Sequence, residues 1–353
     1  TGVIYPGLAR RLDKYEFDIV HSQMQFYVGV LAHSVAKRQD IPHITTVHTL
    51  YTELIDDYPL MVTAGIIALT VALPIVLRTR PILPTASREQ LRSMSKDAVK
   101  ETFSHQGWRL TAAFANKCEA CISPSNHLAR ILVDEGGLTA PCYVRPNGIN
   151  TRLYRDAAPQ DSPVEKRPGE RFIISVARLS PEKRQKALIE AMPHIPDNRI
   201  KLVLVGGGPY ENELRMRAAE LGVTGRVIFT GMQPSDKVAS LLKQADVFSL
   251  ASYHFDNQPM TFLEAASSGL PIVYCDEQMT EGLTERNSVL ADGIEGEDLA
   301  RAFNGLFSDP ERLERLSLGS LDVARDFDST TMAERMVGLY ESLIRDHRAL
   351  PYR

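Results

Sequence analysis

The sequence is short of cysteine, of net charge and of any recognisable leader, and each shortage narrows what it can be. Four cysteines in 353 residues do not make a disulfide framework, and such scarcity favours a reducing cytoplasm. Cys118 and Cys121 form a C-x-x-C, but Cys142 and Cys275 stand far from each other, so no second ligand pair completes a structural zinc site. They read instead as core positions at the edge of a strand. A formal net charge of −4 gives no global basic field for nucleic acid, although a local excess can still act. The opening stretch TGVIYPGLARRLDKYEFDIVHSQ has neither an initiator Met nor the apolar segment of a signal peptide. Within it, Phe17 to Gln23 reads as a strand that belongs well inside an α/β domain, so the expectation is a fragment whose N-terminal domain lacks its opening βα unit.

What is present is enough for two ordinary cores: 44% of residues are hydrophobic and 24% charged. Short β-rich runs recur at FDIVHSQ, HITTVHT, EACISPS, CYVRPNGI, FIISVAR, KLVLVGGG, VIFTGM, VFSLAS and PIVYCD, with helix-period segments between most of them. That alternation predicts parallel sheets covered by helices. The polar, Pro-rich stretch Arg155 to Arg171 reads as a linker. Residues 1–154 are therefore expected as one domain, 155–171 as the linker and 172–328 as the second domain.

Three segments of the second domain carry chemistry. The first is Ser252-Tyr253-His254-Phe255-Asp256-Asn257-Gln258-Pro259-Met260-Thr261-Phe262-Leu263-Glu264, which runs from a strand into a helix. Pro259 suits the first helical turn, where no backbone N–H is needed, so the N–H groups near Asn257, Gln258, Met260 and Thr261 can face an anion. Glu264 lies about a turn further on and can reach groups beyond that anion, such as ribose hydroxyls. Taken alone, the same residues make a helix cap and a surface glutamate. The second segment is Ala177-Arg178-Leu179-Ser180-Pro181-Glu182-Lys183, directly after a strand, where Arg178 offers a fork of donors and Lys183 a point charge to a diphosphate. The third, Val205-Gly206-Gly207-Gly208-Pro209, runs a strand into a glycine-rich turn where a ligand can approach the backbone. Glu211 occupies the last glycine position of G-x-G-x-x-G, which disfavours a dinucleotide enzyme.

Together these segments resemble the retaining glycosyltransferases of family 4. The E-x7-E motif of that family stands here as Asp256-x7-Glu264, its basic pair as Arg178 and Lys183, and its PNG(I/V) segment as Pro146-Asn147-Gly148-Ile149. The stretch MAERMVGLYESLIRDH resembles the family's closing helix, so 329–353 is expected to pack back on the N-terminal domain. The resemblance implies the GT-B fold, two doubly wound Rossmann-like domains facing a cleft. It implies a nucleoside-diphosphate sugar, UDP- or GDP-linked, as donor, transfer with retention, no cofactor and no obligatory metal. Asp256 would then contact donor-sugar hydroxyls, Glu264 the ribose, Arg178 and Lys183 the diphosphate, and Gly207, Gly208, Asn257, Gln258, Pro259, Met260 and Thr261 would line the donor site. By the same resemblance His48, in TTVHTLY, faces the donor sugar. His21, in VHSQ, has a similar claim, although a lone histidine at a strand end is more often a packed or capping residue. Asp in place of the usual first Glu shortens the reach to the sugar.

The N-terminal half also holds Leu60 to Leu77, eighteen residues without a charge, close to the ~20 that cross a bilayer. Strand-like runs flank it on both sides, so a single crossing would divide one domain between two faces of a membrane. Residues 78–117 follow with eight Lys or Arg against three acids, a local net of +5. An apolar segment beside a basic one suits adsorption to an anionic leaflet; it equally suits a buried helix followed by a solvated face. TVHTLYTELIDDYP resembles the corresponding stretch of diacylglycerol glucosyltransferases and related glycolipid synthases, which implies a lipid acceptor and a place at the inner face of the plasma membrane. The function classes left open are a membrane-associated glycolipid glycosyltransferase, a soluble family 4 enzyme acting on a sugar, glycan or small metabolite, and a non-catalytic sugar-nucleotide-binding remnant. A sugar-nucleotide epimerase is weaker, since its acid and base are not apparent.

Overall fold

The computed structural model describes residues 7–48, 59–82, 90 and 93–349. The chain divides into two compact units, Thr1–Pro146 with Glu334–Arg353, and Asn147–Ala333. The stretch Thr49 to Tyr58, and Arg88 and Arg92 of the basic segment, lie outside the described residues.

The first unit is built on four parallel strands in spatial order β1 (Val20–Ser22), β2 (His43–Thr46), β3 (Ala120–Ser123) and β4 (Cys142–Val144). Around them run α1 (Leu8–Leu12), α2 (Val28–Gln39), α3 (Pro59–Leu77), α4 (Lys96–Ala115) and α5 (Asn126–Asp134). Serines start two of these helices: Ser95 accepts from the Ala98 N–H at 3.3 Å and Ser125 from the Leu128 N–H at 3.1 Å, which satisfies donors that a helix start leaves open. β2 and β3 are buried along their whole length. Trp108, Ala112, Leu128 and Leu132 pack together with Val47, and the end of a long last helix sets Leu339 and Leu343 against Ile44, Ala120 and Ile122.

The apolar run is helix α3, and it is not a span. One stripe of it, Val62, Ile66, Leu73 and Leu77, packs with Leu110, Phe114 and Cys118, and Gln106 of α4 donates to Thr70 Oγ1 at 3.2 Å. Because β2 precedes α3, β3 follows α4, and the two strands pair in parallel in one sheet, α3 and α4 form the crossover that a parallel pair requires. Among the described residues no helix is long and apolar enough to cross a membrane. The other stripe of α3, with Met61, Ile67, Val71 and Ile75, faces outward, and Ile75 is 73% exposed.

The second unit carries six parallel strands: β5 (Arg171–Val176), β6 (Ile200–Val205), β7 (Val227–Gly231), β8 (Val247–Leu250), β9 (Ile272–Tyr274) and β10 (Ser288–Leu290), ordered β10-β9-β8-β5-β6-β7. Its helices are α6 (Thr151–Arg155), α7 (Gln185–Ala191), α8 (Glu211–Glu220), α9 (Ser235–Gln244), α10 (Met260–Ser267), α11 (Gly296–Phe307) and α12 (Pro310–Arg325), and α13 (Ser329–Ala349) begins here and ends in the first unit. Successive strand residues point to opposite faces. Thus Ile173, Leu202 and Leu204 join Leu188, Leu299 and Phe303 on one side, while Phe172, Ile174 and Val203 join Leu242, Phe248 and Phe262 on the other. Strands buried on both faces read as unbroken apolar runs. β10 was not expected from the sequence, because SVL is set between the polar stretches TERN and ADG.

The boundary also differs from the sequence expectation. Arg155 to Arg171 is no linker: the units part at Pro146 and Asn147. Ile149 and Tyr154 are buried in the core of the second unit, Ile149 N–H donates to Phe327 O at 3.0 Å and Ser329 N–H to Ile149 O at 2.8 Å. The polar stretch is itself held, with Lys166 bonded to Asp246 at 2.6 Å and Gln244 Nε2 to Pro159 O at 2.9 Å. Hydrogen bonds of this kind are invisible to composition.

Cys118 and Cys121 do not form a chelating pair. Cys118 Sγ lies 3.4 Å from His43 Nδ1, whereas Cys121 stands opposite Cys142 on the neighbouring strand. His43 Nε2 meets Ser22 Oγ at 3.0 Å. Burial, then the neighbouring His33 and His21, hold the His43 pKa down to about 3. An unfolded chain protonates this ring near 6.5 and the folded one does not, so stability should fall as pH drops from 6.5 toward 3 and be unaffected above that window. The expected loss from His43 is at most ~1.4 kcal/mol per pH unit. Urea titrations at pH 7.5, 5.5 and 4.5 test this, and a His43→Gln protein should show a shallower acid decline; equal slopes would mean that other groups govern it.

Candidate functional site

β5 pairs with β6 on one side and β8 on the other, so the connections leaving β5 and β8 diverge. Such a reversal opens a crevice at the carboxyl ends of the strands, where open α/β sheets bind ligands. The segments singled out in the sequence are the loops that leave β5, β6 and β8 at that edge.

After β5, buried Leu179 anchors the loop, its N–H donating to Gly207 O at 3.0 Å, and Gln185 Nε2 donates to Arg178 O at 2.7 Å. Arg178 is half exposed and pairs with Glu182 at 2.6 Å. Ser180 Oγ donates to the same carboxylate oxygen. Burial opposes ionisation of Glu182, yet Ser180, its backbone N–H and Arg178 together hold its carboxyl below the ordinary value. Lys183 reaches across to Asp256, donating to Oδ1, with its ammonium 4.9 Å from the Phe255 ring centre. Ser252 Oγ donates to Asp256 Oδ2 at 2.5 Å. Lys183 and Asp256, 73 positions apart, are thus brought into one ion pair at the switch point.

The loop after β8 is held from both ends. His254 adopts a left-handed φ of 51°, a costly conformation for a residue with a side chain, and its N–H donates to Asp276 Oδ2 at 2.7 Å. Gln258 Oε1 accepts from Asn147 N at 2.8 Å and Nδ2 at 2.9 Å. The Gln258 side chain therefore clamps the Pro146-Asn147-Gly148 segment, and only its backbone remains for a donor. Pro259 is the residue before α10 and no side chain caps the helix. The N–H groups of Met260 and Thr261 make no hydrogen bond among the described residues, so the positive end of α10 stays open to an anion. Glu264 lies a turn further. Burial raises its carboxyl above the ordinary value, opposed by a hydrogen bond from the buried Tyr154 hydroxyl.

The glycines serve packing as much as ligand approach. A Cβ on Gly206 would strike Ala177 O, and one on Gly208 would strike Leu179 O; at Gly207 it would meet only the flexible Met232 side chain, Cγ at 3.1 Å. The backbone of the β6 turn is thereby pressed against the β5 loop that carries Arg178. Sequence reasoning missed Tyr154, Glu182 and Ser252. Nothing in local spacing marks Tyr154, because its relation to Glu264 arises only when α6 packs on the β8 side of the sheet.

In the first unit, His48 directly follows β2 and His21 lies in β1. His48 Nε2 is 2.8 Å from Gln23 Oε1, and Gln23 Nε2 is 3.1 Å from His21 Nε2. His21 Nε2 also meets Thr46 Oγ1 at 2.7 Å and its Nδ1 meets Tyr340 OH at 2.6 Å. Burial, with His48 nearby, holds the His21 pKa down to about 4, and partial burial lowers that of His48.

Two family models match, glycosyl transferases group 1 over residues 157–319 and glycosyltransferase family 4 over residues 3–153. The chain is 27% identical over 344 residues to the alpha-monoglucosyldiacylglycerol synthase of Streptococcus pneumoniae, covering 94% of this chain and 66% of that one. It is 26% identical to the GDP-mannose-dependent alpha-(1-6)-phosphatidylinositol monomannoside mannosyltransferase of Mycolicibacterium smegmatis, over 67% of each chain. The chain thus spans about two thirds of the length of these relatives. Among solved structures, Anabaena Alr3699/HepE in complex with UDP superposes with a TM-score of 0.71 at 19% identity, over 96% of this chain and 81% of that one, a likeness of fold.

If the glycine turn is a packing device, Gly208→Ala should destabilise the second unit by about 1–3 kcal/mol, the usual effect of overpacking, and lower the melting temperature. Gly207→Ala, which needs only Met232 to move, should melt close to the parent. Thermal unfolding of the two variants side by side checks this, and equal melting temperatures would contradict it.

Proposed function

Since the chain belongs to the family 4 glycosyltransferases, we propose that it moves a sugar, with retention, from a nucleoside-diphosphate sugar to a lipid acceptor at a membrane surface. The observation that carries the reading is the convergence of Lys183, Asp256 and the open start of α10 at the switch point of the second unit. As the bond between the sugar and the diphosphate breaks, negative charge grows on the leaving group. Arg178, Lys183 and the Met260 and Thr261 N–H groups stabilise that charge, and electrostatic stabilisation of this kind is usually the largest catalytic contribution. Asp256 takes the donor-sugar hydroxyls and Glu264 the ribose. The reading calls for no obligatory metal, the leaving group being met by these cations and N–H groups. The UDP and UDP-glucose complexes of the structural neighbour favour UDP, and the mannosyltransferase relative favours GDP, so both belong in the test.

The lipid acceptor is supported by the printed names of the relatives and by α3. Five apolar side chains of α3, Met61, Ile67, Val71, Ile75 and Val76, are at least half exposed, a stripe too apolar to suit water. Arg78 and Arg80 follow it directly. Lying in the interface, such a helix buries its free stripe in acyl chains while the basic segment meets anionic headgroups. On this reading the protein works peripherally, at the inner face of the plasma membrane.

The donor is tested by thermal shift against UDP-, GDP- and ADP-sugars, since a ligand that binds the folded state stabilises it by mass action. Arg178→Ala and Lys183→Ala should each weaken a nucleoside diphosphate far more than the bare nucleoside. Glu264→Gln should weaken the nucleotide about tenfold or more, the worth of a hydrogen bond to a charged acceptor, with the melting temperature of the free protein nearly unchanged. Unaltered binding in all three would remove the donor site from this edge. For the membrane, the protein should co-sediment with vesicles containing anionic lipid and be partly released by salt, because only the electrostatic share is screened. Replacing Arg78, Arg80, Arg88 and Arg92 by Gln should weaken adsorption and spare nucleotide binding. Absence of vesicle binding at low salt would shift the acceptor to a soluble one.

A further inference from the structure

The polar chain at the carboxyl edge of the first unit runs Tyr340, His21, Gln23, His48, and its middle member has no role so far. An amide side chain accepts through Oε1 and donates through Nε2. With Oε1 2.8 Å from His48 Nε2, that nitrogen carries the proton, and Nδ1 of His48 is left as an acceptor. Gln23 Nε2 lies 3.1 Å from His21 Nε2 and 3.4 Å from its Nδ1, against the ring rather than on one lone pair, and the two ring nitrogens meet Thr46 Oγ1 at 2.7 Å and Tyr340 OH at 2.6 Å. The far end is fixed, because Thr46 is buried in β2 and Tyr340 is held in α13 beside Leu339 and Leu343. Gln23 is the only link between this anchored end and His48 among the described residues.

We propose that Gln23 is a positioning residue that holds His48 as its Nε2–H tautomer, so that His48 Nδ1 accepts a hydrogen bond from a substrate hydroxyl. A ring held this way reads the hydrogen of a hydroxyl, whereas the opposite tautomer would read its oxygen. The discrimination is between a hydroxyl and a group that has no hydrogen to give, such as an ether or a fluorine at the same carbon. Among the described residues, His21 on β1 is the titratable neighbour of His48, Tyr340 lies beyond it, and partial burial accounts for the lowered His48 pKa.

The substrate part of this inference rests on the glycosyl-transfer reading, and the tautomer part does not. The test therefore has two arms on the full chain. In the first, histidine-selective nitrogen-15 NMR of the free protein, with His48 assigned by loss of its signals in His48→Gln, should show the Nε2–H tautomer, and Gln23→Leu should lose that preference. An Nδ1–H tautomer in the parent, which a reversed Gln23 amide would give, overturns the proposal. In the second arm, kcat/KM for the nucleotide sugar in Gln23→Leu should fall about tenfold, the scale of one hydrogen bond, while affinity for the bare nucleoside diphosphate stays unchanged. Gln23→Glu keeps the acceptor but places a carboxylate on the ring, favouring imidazolium, so the acid limb of kcat should move up by about one pH unit. Wild-type kcat/KM in Gln23→Leu, or an unmoved acid limb in Gln23→Glu, overturns it. No turnover with any donor, together with the expected tautomer and its loss in Gln23→Leu, supports the positioning and removes the transfer reading instead.

Discussion

β5 is the strand on which the second unit depends. Its inner residues, Phe172 to Ile174, are buried on both faces of the sheet, and it is flanked by β6 and β8, which leave in opposite directions. A strand without a solvent face cannot carry charge along its length, since an isolated buried charge is strongly disfavoured. Charge can appear only where the strand ends. Arg178 and Lys183 appear there, and the reversal of strand order keeps the space above them open. The location of the site follows from the way the core is buried.

Lys183 and Asp256 are mostly buried, their side chains 17% and 13% exposed. An ion pair this deep recovers by mutual attraction only part of what both groups lose on leaving water, unless further hydrogen bonds satisfy them. Ser252 supplies one to Asp256 and the Phe255 ring faces Lys183. In the proposed donor complex a diphosphate would bring Lys183 a second anion without removing the first, and the pair would bridge phosphate and carboxylate. Arg178 is in a different position: it is 52% exposed and already matched by Glu182. A pair in water contributes little to stability, so its guanidinium is easily turned to a better partner. One cation is thus pre-set and the other is recruited.

Much of this was legible in the sequence, and the illegible parts share a cause. Nine strands were readable because each lies in a longer β-rich run, whereas β10, SVL, is set between polar residues. Arg178, Lys183 and Asp256 could be named because each sits at a strand end and the topology rule says where strand ends meet. That Lys183 and Asp256 touch, that Tyr154 serves Glu264 and that Gln258 is spent on Asn147 are long-range relations, 73 and about 110 positions apart in the first and last cases, with no local spacing to reveal them. The misplaced linker has the same origin. Polar, Pro-rich composition between two domains describes a segment that makes few contacts or one that makes hydrogen bonds, and only the fold distinguishes them.

The two units solve different recognition problems with the same device, a parallel sheet whose carboxyl edge carries the polar groups. In the second unit the edge is cationic and ends at an open helix start, which suits an anion. In the first unit the edge is a chain of amide, hydroxyl and imidazole groups. Burial holds the His21 pKa to about 4 and also lowers that of His48, so near neutral pH these two rings bring no positive charge, and Arg145, directly after β4, is a cation of this edge. The low dielectric surroundings that depress the pKa values of His21 and His48 also strengthen the hydrogen bonds these rings make.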